Sequence, residues 1–152
     1  MGVLARVLGL RGGGRRLVDD IAADYRAELE QALLLRQHAD AAKYPQIAAT
    51  LRQLAATEER HAGWLRDRLV ARGETPPEVA AVRSAGRNLW ERACDARARA
   101  QRKRRLRAEH IIRWDPDEPA LVELWRLVEA EDAAEYSGYE GIVMRGDPHA
   151  ID

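Results

Sequence analysis

Three residues of types that bind metals or transfer protons lie on helical seams that are otherwise apolar: Glu28, Glu58 and His61. Around Glu28, small or apolar side chains recur at alternating steps of four and three, at Ile21, Tyr25, Ala32, Leu35 and Ala39. Around Glu58 and His61 the same steps select Ile47, Leu51, Leu54 and Leu65. This spacing places each set on the face of a helix that turns toward a core. Because a buried carboxylate or imidazole is costly unless it is paired or binds a metal, these residues need a partner.

A turn at Tyr44 would bring the three residues to one height in an antiparallel helical hairpin. Glu28 lies 16 positions before Tyr44, and Glu58 and His61 lie 14 and 17 positions after it. Glu58 and His61 are three positions apart, so they also share a helix face. The sequence therefore predicts one level with two carboxylates and one imidazole. This donor set suits iron or manganese, and zinc also accepts it.

The second of these helices resembles a known family. Its sequence opens with Tyr44-x-Gln-Ile-Ala-Ala and continues to Glu58-Glu-x-His61-Ala, which is similar to the second helix of the ferritin-like superfamily, rubrerythrin type. The resemblance extends over residues 25–69. It implies that Glu28, Glu58 and His61 are metal ligands of an iron site, in the complete family a di-iron site. It also implies oxidation of ferrous iron, reduction of peroxide or activation of oxygen.

The second half of the chain departs from this family pattern. A complete member has a Glu on the third helix and a second Glu-x-x-His on the fourth. Here Asp132 stands where the second His would be, and Glu131 is the best-placed carboxylate of the fourth helix. With a turn near Asp115, the position opposite Glu131 on the third helix falls near Arg99, where the sequence has no carboxylate. Glu131 is therefore our candidate fourth metal ligand, and the feature is a half-site.

Three arrangements of this half-site remain open. It holds one metal ion or none. Alternatively, two copies of the chain complete it across a two-fold axis, as the resemblance to two-helix encapsulated ferritin-like proteins implies. In the third arrangement the polar residues form a hydrogen-bonded core network, for instance with His61 between Glu28 and an arginine.

The composition predicts helices along the whole chain. Of the 152 residues, 46% are hydrophobic and 33% are charged, and Phe is absent, which is typical of long helices. We expect helices over 19–42 and 45–71. The start signals at Thr75-Pro76-Pro77-Glu78 and at Asp115-Pro116 predict a third and a fourth helix. The expected fold is an all-α antiparallel four-helix bundle of two helical hairpins.

The bundle is expected to cover residues 17–145. We expect residues 1–16 to form a tail or docking peptide on a glycine hinge at residues 12–14, and residues 146–152 to form a loose tail. His38 and His110 are expected at the surface, near helix ends.

Charge and cysteine content limit the classes of partner. The 25 basic and 25 acidic residues cancel, so no overall field directs the chain to nucleic acid or to an acidic membrane. The basic run from Arg92 to Arg107 has eight Lys or Arg, and we expect the acidic fourth helix to neutralise it. The single cysteine, Cys94, excludes an internal disulfide and fits a cytoplasmic location. No apolar run is long enough to span a membrane.

The leading functional prediction is a ferritin-like, iron-binding protein with ferroxidase or peroxide-linked activity. The alternative is a catalytically inactive scaffold or interaction module that acts through residues 1–16 and the charged second hairpin. We expect a homodimer or a higher homo-oligomer. A protein partner, or peripheral contact with a membrane, is expected at residues 1–16.

Overall fold

The computed structural model describes residues 3–83 and 86–144 of the chain. These residues form four helices: α1 (Val3–Ala41), α2 (Pro45–Ala71), α3 (Leu89–Trp114) and α4 (Pro119–Met144). Helix α1 packs on α2 and α3, and α4 packs on α3 and α2, so the order around the bundle is α1, α2, α4, α3. The prediction of an all-α four-helix bundle built from two hairpins is confirmed.

Two apolar clusters fill the core, one toward each end of the bundle. The first contains Leu35, Leu51 and Leu54 together with small alanines of α3. The second contains Ile21 and Trp125, with further residues of α1, α2 and α4. The polar level with Glu28, Glu58 and His61 lies between these clusters, so it is enclosed by apolar side chains at both ends.

The predicted glycine hinge is wrong. Helix α1 begins at Val3 and continues through residues 12–14 without a break. Glycine lowers the stability of a helix by about 1 kcal/mol relative to alanine, but it leaves the helical backbone conformation open. The boundary expected between residues 16 and 17 therefore lies inside one helix. The expected tail over residues 146–152 lies outside the described residues.

The third helix begins at Leu89, nearly four turns later than the start signal at Thr75 predicts. A proline disfavours the helical conformation of the residue before it, so two successive prolines, Pro76 and Pro77, favour an extended chain. The helix starts instead at Asn88, whose side-chain oxygen accepts a hydrogen bond from the backbone N–H of Glu91 at 2.8 Å. That bond satisfies one of the amides left free at a helix start.

Gly86 is a second reason why the third helix cannot extend backward. Its φ angle is 139°, a region that side-chain-bearing residues rarely adopt. A Cβ atom at this position would lie 2.8 Å from the backbone nitrogen of Arg92. The chain therefore turns sharply just before α3.

His38 and His110 are buried, which corrects the expectation that they lie at the surface. Their exposed fractions are 3% and 2%. The Nδ1 atom of His110 lies 2.7 Å from Oδ2 of Asp24, which is also buried. His38 lies on α1, which contacts α2 and α3, and His110 lies on α3, which contacts α1 and α4. Each of these helices therefore buries a wider face than a single seam.

Within the described ranges, none of the helices is long and apolar enough to cross a membrane.

Candidate functional site

The polar level of the core brings four metal-ligand side chains together. Glu28 comes from α1, Glu58 and His61 from α2, and Asp132 from α4. One ligand atom from each lies within 4.8 Å of the others. None of the four residues is more than 1% exposed. The structure thus gathers the three residues that their distances from Tyr44 predict to share one height.

On α4, Asp132 rather than Glu131 enters the cluster. Glu131 lies at the rim with 31% of its side chain exposed, and its Oε2 atom is 2.6 Å from Nε2 of His61. The same oxygen accepts a hydrogen bond from Arg60 at 3.1 Å. Glu131, our candidate ligand, therefore touches the outer nitrogen of the imidazole, whereas Asp132 lies on the inner side.

The sequence contains a signal for Asp132 that the family pattern obscured. Leu121, Trp125, Val128 and Asp132 follow one another at steps of four, three and four, as the seams of the first two helices do. The first three of these residues are buried in the core. Glu131 is one position off this seam, which is why it faces the rim.

The ammonium group of Lys103, on α3, lies at the centre of this level. Its Nζ atom donates hydrogen bonds to Oε2 of Glu28, at 2.7 Å, and to Oε2 of Glu58. It is also 3.5 Å from Oδ2 of Asp132. The Lys103 side chain is only 4% exposed. A cation supplied by the protein therefore lies where a metal ion bound by these carboxylates would be.

Arg107, one turn beyond Lys103, closes the same level with a second cation. Its guanidinium donates to Oε1 of Glu28 at 2.9 Å and to Oδ2 of Asp132 at 2.7 Å. It also donates to Oε2 of Glu129 at 2.6 Å. The expectation that α4 neutralises the basic run is thus met at Arg107, but Lys103 shows that α1 and α2 contribute as well.

The sequence placed the α3 side of this level at Arg99, which is one turn from Lys103. That position follows from a turn centred at Asp115. The connection instead runs from the end of α3 at Trp114 to the start of α4 at Pro119, so its centre lies between residues 116 and 117. Moving the centre moves the position opposite Glu131 from 99 to about 102, beside Lys103.

The carboxyl groups of the level have unequal pKa values. Burial, and then the charge of Glu28, raise the pKa of Glu58 well above its usual range. For Glu28, burial also acts to raise the pKa, but the Lys103 ammonium and the Arg107 guanidinium outweigh it and the pKa is lowered. The pKa of Asp132 is lowered in the same way, because His61, Lys103 and Arg107 outweigh its burial. The cations therefore favour the ionised forms of Glu28 and Asp132, whereas burial and the neighbouring Glu28 favour the neutral form of Glu58.

Both cations keep their charge. Burial acts to lower the pKa of Lys103 and of Arg107, but the surrounding carboxylates outweigh it and raise both pKa values. Lys103 and Arg107 thus place two positive charges next to the buried carboxylates of Glu28, Glu58 and Asp132.

A cleft between α1 and α3 leads from the surface toward this level. Its volume is about 210 Å³, and its lining includes the exposed side chain of Arg102 and the buried side chains of Gln31, Leu34 and Lys103. It therefore connects solvent to the cation at the centre of the cluster.

The di-iron centre implied by the family resemblance does not fit this level as it is folded. The oxygen and imidazole donors are of the right type for iron. However, the Lys103 ammonium occupies the space between the carboxylates, and Arg107 takes the carboxylate oxygens next to it. Two metal ions would bring four positive charges to a level that already contains the Lys103 ammonium and the Arg107 guanidinium. A metal ion can enter only if Lys103 leaves.

Comparison with known proteins gives the family of the chain. A family model described as rubrerythrin matches residues 21–109, more than half of the 152 residues. The matched part contains Glu28, Glu58 and His61 as well as Lys103. No curated protein matches the chain. Proteins of this family typically bind iron. Its four-helix architecture and the match over residues 21–109 together show that the chain belongs to the rubrerythrin family.

Proposed function

We propose that this protein is a rubrerythrin-family bundle that has replaced its iron centre with lysine and arginine, and that it acts as a binding or scaffold module. The observation that carries this proposal is the position of Lys103 Nζ, 2.7 Å from Oε2 of Glu28 and in contact with Glu58. A buried ammonium group satisfies the negative charge that would otherwise attract a metal ion.

The electrostatics of the level support this proposal. The Lys103 ammonium and the Arg107 guanidinium already contact the carboxylates of Glu28, Glu58 and Asp132 that a metal ion would need. Oxidation of ferrous iron or reduction of peroxide needs a group that changes its oxidation state. Lysine and arginine have no such chemistry, so the level as folded favours a structural role.

Two surfaces are available for partners of such a module. Helix α1 starts at Val3, and among the residues whose side chains are described, Leu17 is the first that belongs to the core. On the second hairpin, Ile112 of α3 and Leu127 of α4 expose 79% and 49% of their surface. We propose that these two regions, the N-terminal part of α1 and the exposed α3–α4 surface, contact a protein partner.

The metal content of the purified protein tests this proposal. Protein produced in iron-supplemented cells is expected to contain far less than one iron per chain by elemental analysis. Because no metal contributes to its core, its thermal unfolding temperature should be the same with and without a strong chelator. Iron close to one or two equivalents, together with a lower unfolding temperature in chelator, would contradict the proposal.

The second candidate is an iron-binding protein with ferroxidase or peroxide-linked activity. The four ligand atoms that lie within 4.8 Å of one another favour it, as does the family. This function requires Lys103 to move away from Glu28 and Glu58. Since one chain supplies side chains to the level from all four helices, the arrangement favours a site within a chain over one shared between two copies. The same elemental analysis distinguishes the two candidates.

A further inference from the structure

We propose that the cleft between α1 and α3 binds one small zwitterion, an amino acid with an apolar side chain. Glu30 of α1 binds its ammonium group, and Arg102 of α3 binds its carboxylate. This inference goes beyond the proposed function, because the cleft is distinct from the two surfaces assigned to a protein partner and is open to solvent, unlike the buried cluster.

The first argument is that two opposite charges line this cleft without an ion pair. Glu30 is partly buried on α1, and Arg102 is exposed on α3. Neither side chain has an ion-pair or hydrogen-bond partner among the described residues. A charge that is partly removed from water is stabilised by a partner of opposite sign. A ligand that carries both charges can therefore pair with both walls of the cleft at once.

The other two cations that line the cleft are already paired. Nζ of Lys103 donates to two buried carboxylates, and Nε of Arg99 donates to Oδ2 of Asp95 at 3.0 Å. The charges left for a ligand are therefore one positive and one negative. A zwitterion matches this pair, whereas a simple anion would leave Glu30 unpaired and would be repelled by it.

The buried amide of Gln31 gives the cleft a fixed hydrogen-bond acceptor. Gln31 is 2% exposed, and its Nε2 atom donates to the backbone carbonyl oxygen of Ala96 on α3 at 3.1 Å. The carbonyl oxygen of the same amide has no donor among the described residues. An ammonium group has three donors, so it can bind this oxygen as well as the neighbouring carboxylate of Glu30.

Apolar side chains form the remaining walls and limit the size of the ligand. Leu34 is fully buried, and Ala27 and Leu106 are partly buried. The volume of about 210 Å³ is smaller than the roughly 300–1,000 Å³ of pockets for drug-sized molecules. An amino acid such as leucine, with its aliphatic side chain against these walls, matches the size and the polarity of the lining.

The test measures binding of L-leucine to the isotope-labelled full-length protein by NMR titration. We expect one leucine per chain, with chemical-shift changes concentrated in the facing segments 27–34 and 99–106. Two analogues isolate the two charges, since isocaproate lacks the ammonium group and isoamylamine lacks the carboxylate. Each should bind at least tenfold more weakly than leucine.

Substitutions on the two walls test the residues. Arg102→Gln and Glu30→Gln should each weaken leucine binding at least tenfold. Arg105→Gln is the matched control, because Arg105 is also exposed on α3 but does not line this cleft, and it should leave the affinity unchanged. The double variant Glu30→Arg with Arg102→Glu should restore the binding that either reversal alone abolishes.

Several outcomes would overturn the proposal. Absence of saturable binding of leucine, methionine and phenylalanine at millimolar concentration rules out the site. Isocaproate that binds as tightly as leucine rules out the zwitterion, and equal losses in Arg102→Gln and Arg105→Gln rule out a specific role of Arg102. None of these results affects the proposed function, which depends on the contacts of Lys103 and on the metal content.

Discussion

His61 shows how single side chains set the properties of the polar level. Burial acts to lower its pKa, but the carboxylates of Asp132 and Glu131 on its two sides outweigh burial and raise it above 6.5. The protonated imidazole is thus favoured in the folded state. His38 shows the opposite case, because burial and the charge of Arg92 lower its pKa to about 4.

These shifts predict opposite pH dependences for two histidine variants. A histidine whose pKa is raised on folding contributes stability below its unfolded pKa of 6.5, and that contribution is lost as the pH rises through the folded pKa. The difference in free energy of unfolding between the unmutated protein and His61→Gln should therefore be largest near pH 6 and shrink toward pH 9. Each unit of pKa shift corresponds to about 1.4 kcal/mol. Urea unfolding across this pH range measures the difference.

His38→Gln is the matched control for this measurement. Because the pKa of His38 is lowered to about 4, the unmutated protein should lose stability relative to His38→Gln as the pH falls from 6.5 toward that value. The same direction of pH dependence in both variants would contradict the assignment of the two environments.

Among single residues, the sequence predicted about half of those that form the polar level. Glu28, Glu58 and His61 could be found because an apolar seam with a polar interruption is visible in the helical spacing. Lys103 could not be found in this way, since it lies in a basic run whose other members are mostly exposed or paired at the surface. Only the distance between α3 and the other helices identifies which of these cations is buried.

The start of α3 is fixed by hydrogen bonds between side chains and the free backbone amides of its first turn. Oδ1 of Asn88 accepts a hydrogen bond from the backbone N–H of Glu91, and Oε2 of Glu91 accepts one from the backbone N–H of Arg87. The described residues before α3, 74–83 and 86–88, include two prolines and Gly86 and are not helical. This reciprocal cap fixes the position of the helix that carries Lys103.

Loss of the cap should weaken the bundle measurably. Asn88→Ala removes the acceptor for the Glu91 amide and is expected to lower the free energy of unfolding by about 1 kcal/mol. Asn88→Asp keeps an acceptor at the same position and should remain close to the unmutated protein. Chemical denaturation of the three proteins measures the effect. Equal losses in both variants would show that the cap is not the cause.

The sequence predicted that four helices form, but it predicted the start of α3 incorrectly. The seams of α1 and α2 depend on side-chain spacing, which the sequence contains in full. The start of α3 depends on a competition between two local signals, one at Thr75 and one at Asn88. The restriction that Pro77 places on Pro76 decides this competition in favour of Asn88.

For the whole molecule, the central feature is that one ionic network joins all four helices. Lys103 of α3 contacts Glu28 of α1 and Glu58 of α2, and Asp132 of α4 lies 3.5 Å from the same ammonium. Neither hairpin can satisfy its buried charges alone. The fold, an antiparallel four-helix bundle, could be predicted from spacing and connection lengths, but this dependence between hairpins could not.

A fragment that ends at residue 83 should therefore fold poorly. It contains α1 and α2 but lacks α3 and α4, so the apolar side chains that pack against those helices become exposed to water, and Glu28 and Glu58 lose their contacts with Lys103. Circular dichroism should show much less helix per residue than in the full chain. A fragment as stable as the full chain would contradict the role of the network.

Because the central cation, Lys103, is part of the polypeptide, the amount of folded protein in a cell does not depend on a metal. A cation that belongs to the polypeptide is present in every copy from the moment of synthesis, cannot be extracted by a chelator and cannot be exchanged for the wrong metal. In the proposed module, the amount of folded protein is therefore set by its synthesis and degradation. It would stay constant when iron becomes scarce, whereas a bundle that depends on an iron centre would fall with the metal supply.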